Sequence, residues 1–132
     1  MAIQHSVMTV TKKYNGGQWT QARFNSFIKG GLRNLSLRWP PKARVKKRVW
    51  IERGLYWCEG YGVARHHAPA TLLSKSGRIP NIFVDHISPV VGPEGFTTWD
   101  ELINRLFCEE ENLQVLCKVC HDAKTQDERK KK

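Results

Sequence analysis

The sequence has no long hydrophobic run. No stretch approaches the roughly eighteen apolar residues of a membrane-spanning helix, and the first twenty residues, MAIQHSVMTVTKKYNGGQWT, lack the apolar centre of a secretory signal. Both absences argue against a membrane or exported protein and lead to the expectation of a reducing cytoplasm. Cysteine is scarce as well: there are four in 132 residues, with one Cys-x-x-Cys pair. In a reducing compartment that usage predicts metal ligands or redox groups rather than a disulfide framework. Internal repeats are absent. A hydrophobic content of 40% allows a core, but a small one of the kind that a metal often staples.

Acidic residues are nearly missing from the first part of the chain. Residues 1–54 hold twelve Lys and Arg against Glu52 alone, whereas residues 55–132 hold ten against eleven acids. The net charge of +10 therefore comes entirely from the N-terminal part. A concentrated basic field attracts polyanions and releases their condensed counterions. Nucleic acid is the expected partner, over a merely solvated arm. The charge step predicts a basic arm over 1–54 and a second domain over 55–132.

Residues 1–18, with Gly16-Gly17, read as a loose tail. From Trp19 to Trp39 the apolar residues Phe24, Phe27, Ile28, Leu32 and Leu35 recur at helical spacing. Gly30-Gly31 interrupts them, so the pattern allows two short helices or one kinked helix. The basic stretch KARVKKRVWIERG predicts a second helix from about Pro41 to Arg53, with Pro41 in its first turn and Gly54 ending it. Short strands and loops follow to residue 84. NIFVDHI is strand-like. TTWDELINRLF is a helix with a Thr98–Glu101 capping box and one apolar face. NLQVLC is a second strand, and KVCHDAKTQDERKKK turns into a C-terminal helix whose last lysines fray.

Three elements carry the chemistry: VDHI at 84–87, ENLQVLC at 111–117 and CKVCHDAK at 117–124. Asp85-His86 alone is an ordinary surface pair, and His121 alone an ordinary helix-start histidine. Their combined order is far more specific. A strand ends in Asp-His, an Asn opens a second strand, and Cys-x-x-Cys-His opens a helix.

That order resembles the HNH nuclease family over roughly Tyr56 to Glu128. The stretch FNSFIKGGLRNLSLRWPPK is also similar to the N-terminal arm of small, homing-type HNH endonucleases encoded by tailed bacteriophages, which would place the protein in the host cytoplasm. The resemblance implies an α+β fold. It would have a small ββα-metal core, an inserted helix between the two strands and a basic helical N-terminal arm. It implies a metal-dependent DNA endonuclease acting on duplex DNA and leaving 5′-phosphate and 3′-hydroxyl ends. Asp85 and His121 would bind the catalytic divalent ion, His86 would be the general base, and Asn112 would hold the hairpin and help to orient His86. Imidazole suits a base near neutral pH, and a carboxylate with an imidazole leaves coordination positions open, as a catalytic ion requires. Because adjacent strand residues point to opposite faces, Asp85 and His86 can both serve only if the strand ends or bends there.

Many members add a ligand four residues after the helix histidine. Thr125 stands there and is a poor ligand, which leads to the expectation of Mg²⁺ or Mn²⁺ rather than Zn²⁺ at this site. The alternative is a non-catalytic, zinc-stabilised DNA-binding module. Under either reading Arg33, Arg38, Lys42 and Arg44 are expected to meet phosphates, as are Lys46, Lys47, Arg48 and Lys124, although an exposed, solvated Lys124 is the commoner fate of such a residue. The connection from His86 to Asn112 has 25 intervening residues, far more than a plain hairpin needs. It either packs on the core or helps to contact DNA, and the acids Glu109 to Glu111 argue against its tip lying on phosphates.

Cys117-x-x-Cys120 at a strand-to-helix turn fits one tetrahedral Zn²⁺. HNH proteins of this type often pair it with an upstream Cys-x-x-Cys. In YWCEGYG, Cys58 opens that element, but its second position is Tyr61, whose neutral phenol is a poor zinc ligand. A Cys₃His site using His66 or His67 is the first expectation and Cys108 as fourth ligand the second. The third is an empty cluster whose cysteines are simply buried.

Overall fold

The computed structural model describes residues 11–130, as an α+β chain of helices and small antiparallel sheets in two compact units, 1–37 and 38–132. Much of the expected loose tail and the expected frayed lysines Lys131 and Lys132 lie outside the described residues. Among the described residues no helix is long and apolar enough to cross a membrane.

In the first unit, part of the expected tail is a hairpin. Strand β1 (Lys12–Tyr14) pairs antiparallel with β2 (Trp19–Thr20). Helix α1 (Gln21–Ser36) follows and runs unbroken through Gly30-Gly31. Two helical glycines cost about 1 kcal/mol each. The Thr20 hydroxyl, which accepts from the Arg23 N–H at 3.1 Å, works against that cost. So does the packing of hairpin rings on the helix: Tyr14 stacks on Phe24 at 4.1 Å, and Trp19 meets Phe27 edge-on at 5.2 Å.

The second unit starts before the charge step, at Arg38. Helix α2 (Pro40–Arg48) has its prolines in the first turn. It stops five residues short of the expected Arg53, because Val49, Trp50 and Ile51 are strand formers. Strand β3 (Trp50–Glu52) pairs with β4 (Leu55–Cys58) through a tight turn in which Gly54 takes φ +81°. Strand β5 (His66–Pro69) completes this sheet. Val45 and Val49 pack with Leu113 and Val115 in one buried cluster, so packing joins the basic helix to the residues that follow it.

A separate hairpin, β6 (Thr71–Ser74) and β7 (Gly77–Pro80), leads to β8 (Ile82–His86). The connection then carries helix α3 (Trp99–Leu106), capped by Thr98, whose hydroxyl accepts from the Glu101 N–H. A 3-10 turn, Glu110–Asn112, brings the chain to β9 (Leu113–Cys117), antiparallel to β8 with Asp85 opposite Gln114 and His86 opposite Leu113. Helix α4 (Lys118–Lys130) follows at once. The long connection packs on the core, since Leu102 and Leu106 are buried and the Trp39 indole donates to the Cys108 carbonyl at 2.6 Å. Glu110 pairs with Arg44 of α2 at 2.7 Å.

Buried Asn81 fixes the start of α4. Its Oδ1 accepts from the Lys118 N–H at 3.0 Å and its Nδ2 donates to the Pro69 carbonyl at 2.8 Å. Asn81→Ala removes a helix cap and the donor to the Pro69 carbonyl, and is expected to destabilise the protein by about 1–2 kcal/mol. Urea unfolding would show a lower midpoint with an unchanged slope.

Candidate metal and catalytic centre

Two groups of side chains meet the two ends of the β9–α4 junction. The first is a cluster in which Cys58, His66, Cys117 and Cys120 bring their ligand atoms within 4.8 Å of one another. Strand register builds it: Cys58 ends β4 directly opposite His66 at the start of β5, while Cys117 ends β9 and Cys120 lies in the first turn of α4. The three thiols are buried. The His66 Nδ1 lies 2.9 Å from the Ala64 carbonyl and donates to it, which leaves Nε2 as the lone-pair nitrogen, 3.6 Å from the Cys117 sulfur. Orientation by a carbonyl on the far ring nitrogen is the usual support of a metal-ligating histidine.

The donor set suits a soft, tetrahedral ion. Zn–S bonds of about 2.3 Å place tetrahedral ligands roughly 3.8 Å apart, close to the spread seen here. The four can hold a metal ion such as zinc. Burial pushes the Cys58 thiol up to about 11. Burial also opposes ionisation of Cys117, but the Cys120 N–H, His66 and the two neighbouring thiols outweigh it and bring that thiol down to about 7. Metal uptake at neutral pH therefore displaces protons.

The register settles which histidine joins the cluster. His67 points elsewhere and packs edge-on against Trp57 at 4.3 Å. Cys108 packs with the Val45 cluster instead. Tyr61 is not a ligand: its hydroxyl donates to Asp127 of α4 at 2.7 Å, and its ring packs against the cysteine cluster. His66→Ala is expected to abolish zinc retention and His67→Ala to leave it at one ion per chain, as measured by elemental analysis of purified protein.

The second group surrounds Asp85. The His121 Nε2 lies 3.9 Å from Asp85 Oδ1, and the His121 ring stacks on Phe83 at 5.0 Å. The Gln114 amide donates to Asp85 Oδ2 at 3.1 Å from the directly opposed position on β9. The Lys124 ammonium contacts the same oxygen at 3.1 Å, and donates to Glu128 Oε2 at 2.9 Å and to the His86 carbonyl at 2.9 Å. Lys124 is only 6% exposed, so it is neither a solvated lysine nor one presented outward to phosphates. Burial opposes its charge, but Glu128 and Asp85 outweigh burial and hold it above the usual lysine value. Thr125 back-bonds to the His121 carbonyl at 3.0 Å.

His86 ends β8, and its ring is directed to the end of α3 rather than to α4. Its Nε2 lies 2.9 Å from the Leu106 carbonyl and donates to it, leaving Nδ1 as the acceptor nitrogen. Burial, with Lys42 and Lys124 nearby, lowers its pKa despite the Leu106 carbonyl and Asp85. The ring is thus neutral at neutral pH. Asn112 clasps the chain just beyond it: its Oδ1 accepts from the Ser88 N–H at 2.9 Å and its carbonyl from the Ile87 N–H at 2.8 Å. A cleft of about 360 Å³ opens beside Lys124 and Glu128, walled by Ile87, Pro89 and Val91.

Five of the residues expected to meet phosphates, Lys42, Arg44, Lys46, Lys47 and Arg48, share helix α2. Arg33 lies in the last turn of α1, in the first unit. In the second, Arg38 and Lys47 are exposed, and Lys42 is half-buried. The Lys46 ammonium lies over the Tyr56 ring, Arg44 pairs with Glu110, and Arg48 with Glu59. Gln114, Glu128 and Asn81 are site supports that sequence reading missed. For Glu128 a signal existed, its i+4 spacing from Lys124. The chain matches no family model, no curated protein and no solved structure.

Proposed function

We propose that the protein is a metal-dependent DNA endonuclease of the HNH type, with β8, β9 and α4 as a ββα-metal core and a Cys₃His zinc site as its structural staple. One observation carries the reading. A single hairpin and the helix after it bring Asp85 and His121 together, while His86, the residue after Asp85, is a half-buried, neutral imidazole with one nitrogen already oriented. The surroundings favour a cation, because Asp85 and Glu128 put two carboxylates against the single ammonium of Lys124.

Asp85 and His121 would hold Mg²⁺ or Mn²⁺. When bound, that ion supplies Lewis-acid stabilisation of charge on the phosphate and the leaving oxygen. The His86 Nδ1 takes the proton of the attacking water, and the Leu106 carbonyl keeps the ring in the tautomer that permits this. Asn112 fixes the turn after His86 and so the aim of the ring. Lys124 ties the His86 carbonyl to the Asp85 carboxylate, which keeps the two chemical groups in register. Duplex DNA is the proposed substrate, in keeping with the basic charge of the N-terminal part.

Supercoiled plasmid incubated with the protein and Mg²⁺ or Mn²⁺ is expected to be nicked to open circles. Absence of nicking with both ions, or equal nicking by His86→Ala, overturns the proposal and leaves the zinc-stabilised DNA-binding module.

A further inference from the structure

The sheet β3–β4–β5 carries a feature that hydrolysis does not use. Trp50 of β3 is 54% exposed, an unusual condition for the largest side chain. Tyr56 lies directly across from it on β4, so both rings emerge on one face. Tyr56 is anchored beneath by the Val45 and Val49 cluster. The adjoining turn of α2 supplies Lys46, whose ammonium lies 5.4 Å from the centre of the Tyr56 ring, and Lys47. Together with Ala43 these residues line an open cleft of about 490 Å³.

Each part has a physical meaning. An exposed indole beside a fixed phenol offers flat apolar surface, with the Lys46 ammonium over the phenol ring. Two lysines at its border offer charge to a polyanion. Glu52 is the single acid on β3. Flat rings bordered by cations match a nucleic-acid strand with exposed base faces, because bases stack on aromatic side chains while phosphates lie along lysines. A paired duplex hides its base faces and can use only the lysines.

We infer that the Trp50–Tyr56 cleft binds unstacked bases of single-stranded or locally opened DNA, with Lys46 and Lys47 holding the adjoining phosphates. This deepens the nuclease reading by adding a subsite for a strand opened within the duplex substrate, and it rests on that reading only in taking DNA as the partner.

Fluorescence anisotropy tests it, with a labelled twelve-nucleotide oligo-dT and an abasic oligomer with the same number of phosphates. The His86→Ala protein is used without added divalent ion, so cleavage does not enter. Oligo-dT is expected to bind more tightly than the abasic oligomer. Trp50→Ala is expected to weaken oligo-dT binding roughly tenfold or more and leave the abasic oligomer unchanged, while Trp50→Phe retains most of the affinity. Lys46→Gln with Lys47→Gln weakens both and flattens the salt dependence. Equal binding of the two oligomers, or no loss with Trp50→Ala, overturns the inference. The two proposals fail separately. Plasmid nicking with no Trp50 dependence overturns the cleft alone, and Trp50-dependent binding without nicking overturns the nuclease alone.

Discussion

Cys58→Ala is expected to lose its zinc and with it the cooperative fold of residues 38–132. Cys58 is fully buried and contributes to the cluster from the end of β4, while the other ligands come from β5, β9 and α4. One ion held there would join four elements that otherwise share a small core. A structural zinc contributes on the order of 10 kcal/mol, comparable to the whole stability of a domain, about 5–15 kcal/mol. An ordinary buried substitution in a metal-free core costs about 0.5–3 kcal/mol and leaves a folded protein with a lowered melting temperature. The two cases are far apart. Elemental analysis and thermal unfolding followed by circular dichroism decide between them. Wild-type protein purified without zinc, together with a folded Cys58→Ala variant, would show that the cysteines serve only as packing.

His86→Ala is expected to reduce plasmid nicking by about 10²- to 10⁴-fold, the usual contribution of a positioned general base, with zinc content and unfolding midpoint little changed. The pH profile carries the finer test. Burial lowers the His86 pKa from its ordinary value near 6.5. The base works only when Nδ1 is unprotonated, so activity is present above the lowered pKa and disappears as pH falls through it. Wild-type activity should be flat from pH 7 to 8 and should fall off below pH 6.5. In His86→Ala the residual activity should lack this acid limb. A limb that persists in the variant assigns the proton transfer to another group.

The elements were largely legible because their signals were local. The Thr98 cap, the apolar face of α3 and the β-branched run of β8 each act within a few residues. The approach of His121 to Asp85 was legible too, because their order along the chain is itself the signal. Errors arose where a distant contact decides. Helix α2 ends early because the strand formers after it find a partner in β4, and the tail forms a hairpin because its rings find α1. The choice between His66 and His67 needs the register of β4 against β5, which no spacing rule supplies across the loop between them. Lys124 looked like a surface residue because its partners Asp85 and the His86 carbonyl lie on another strand, 38 residues away in the case of His86. Gln114 stayed hidden for the same reason: the long connection prevents counting back from a turn to find the partner of Asp85.

Cys120 and His121 are neighbours in the first turn of α4, one in the zinc cluster and the other beside Asp85. A single peptide bond separates a side chain of the candidate zinc cluster from one of the proposed catalytic pair. On the proposed reading, a newly made chain is inert until zinc reaches it, because the turn that aims His121 is the turn that Cys120 anchors. Cleavage in a cell-free synthesis reaction would then follow the supply of zinc rather than the supply of protein, which gives a DNA-cutting enzyme a built-in delay between birth and action.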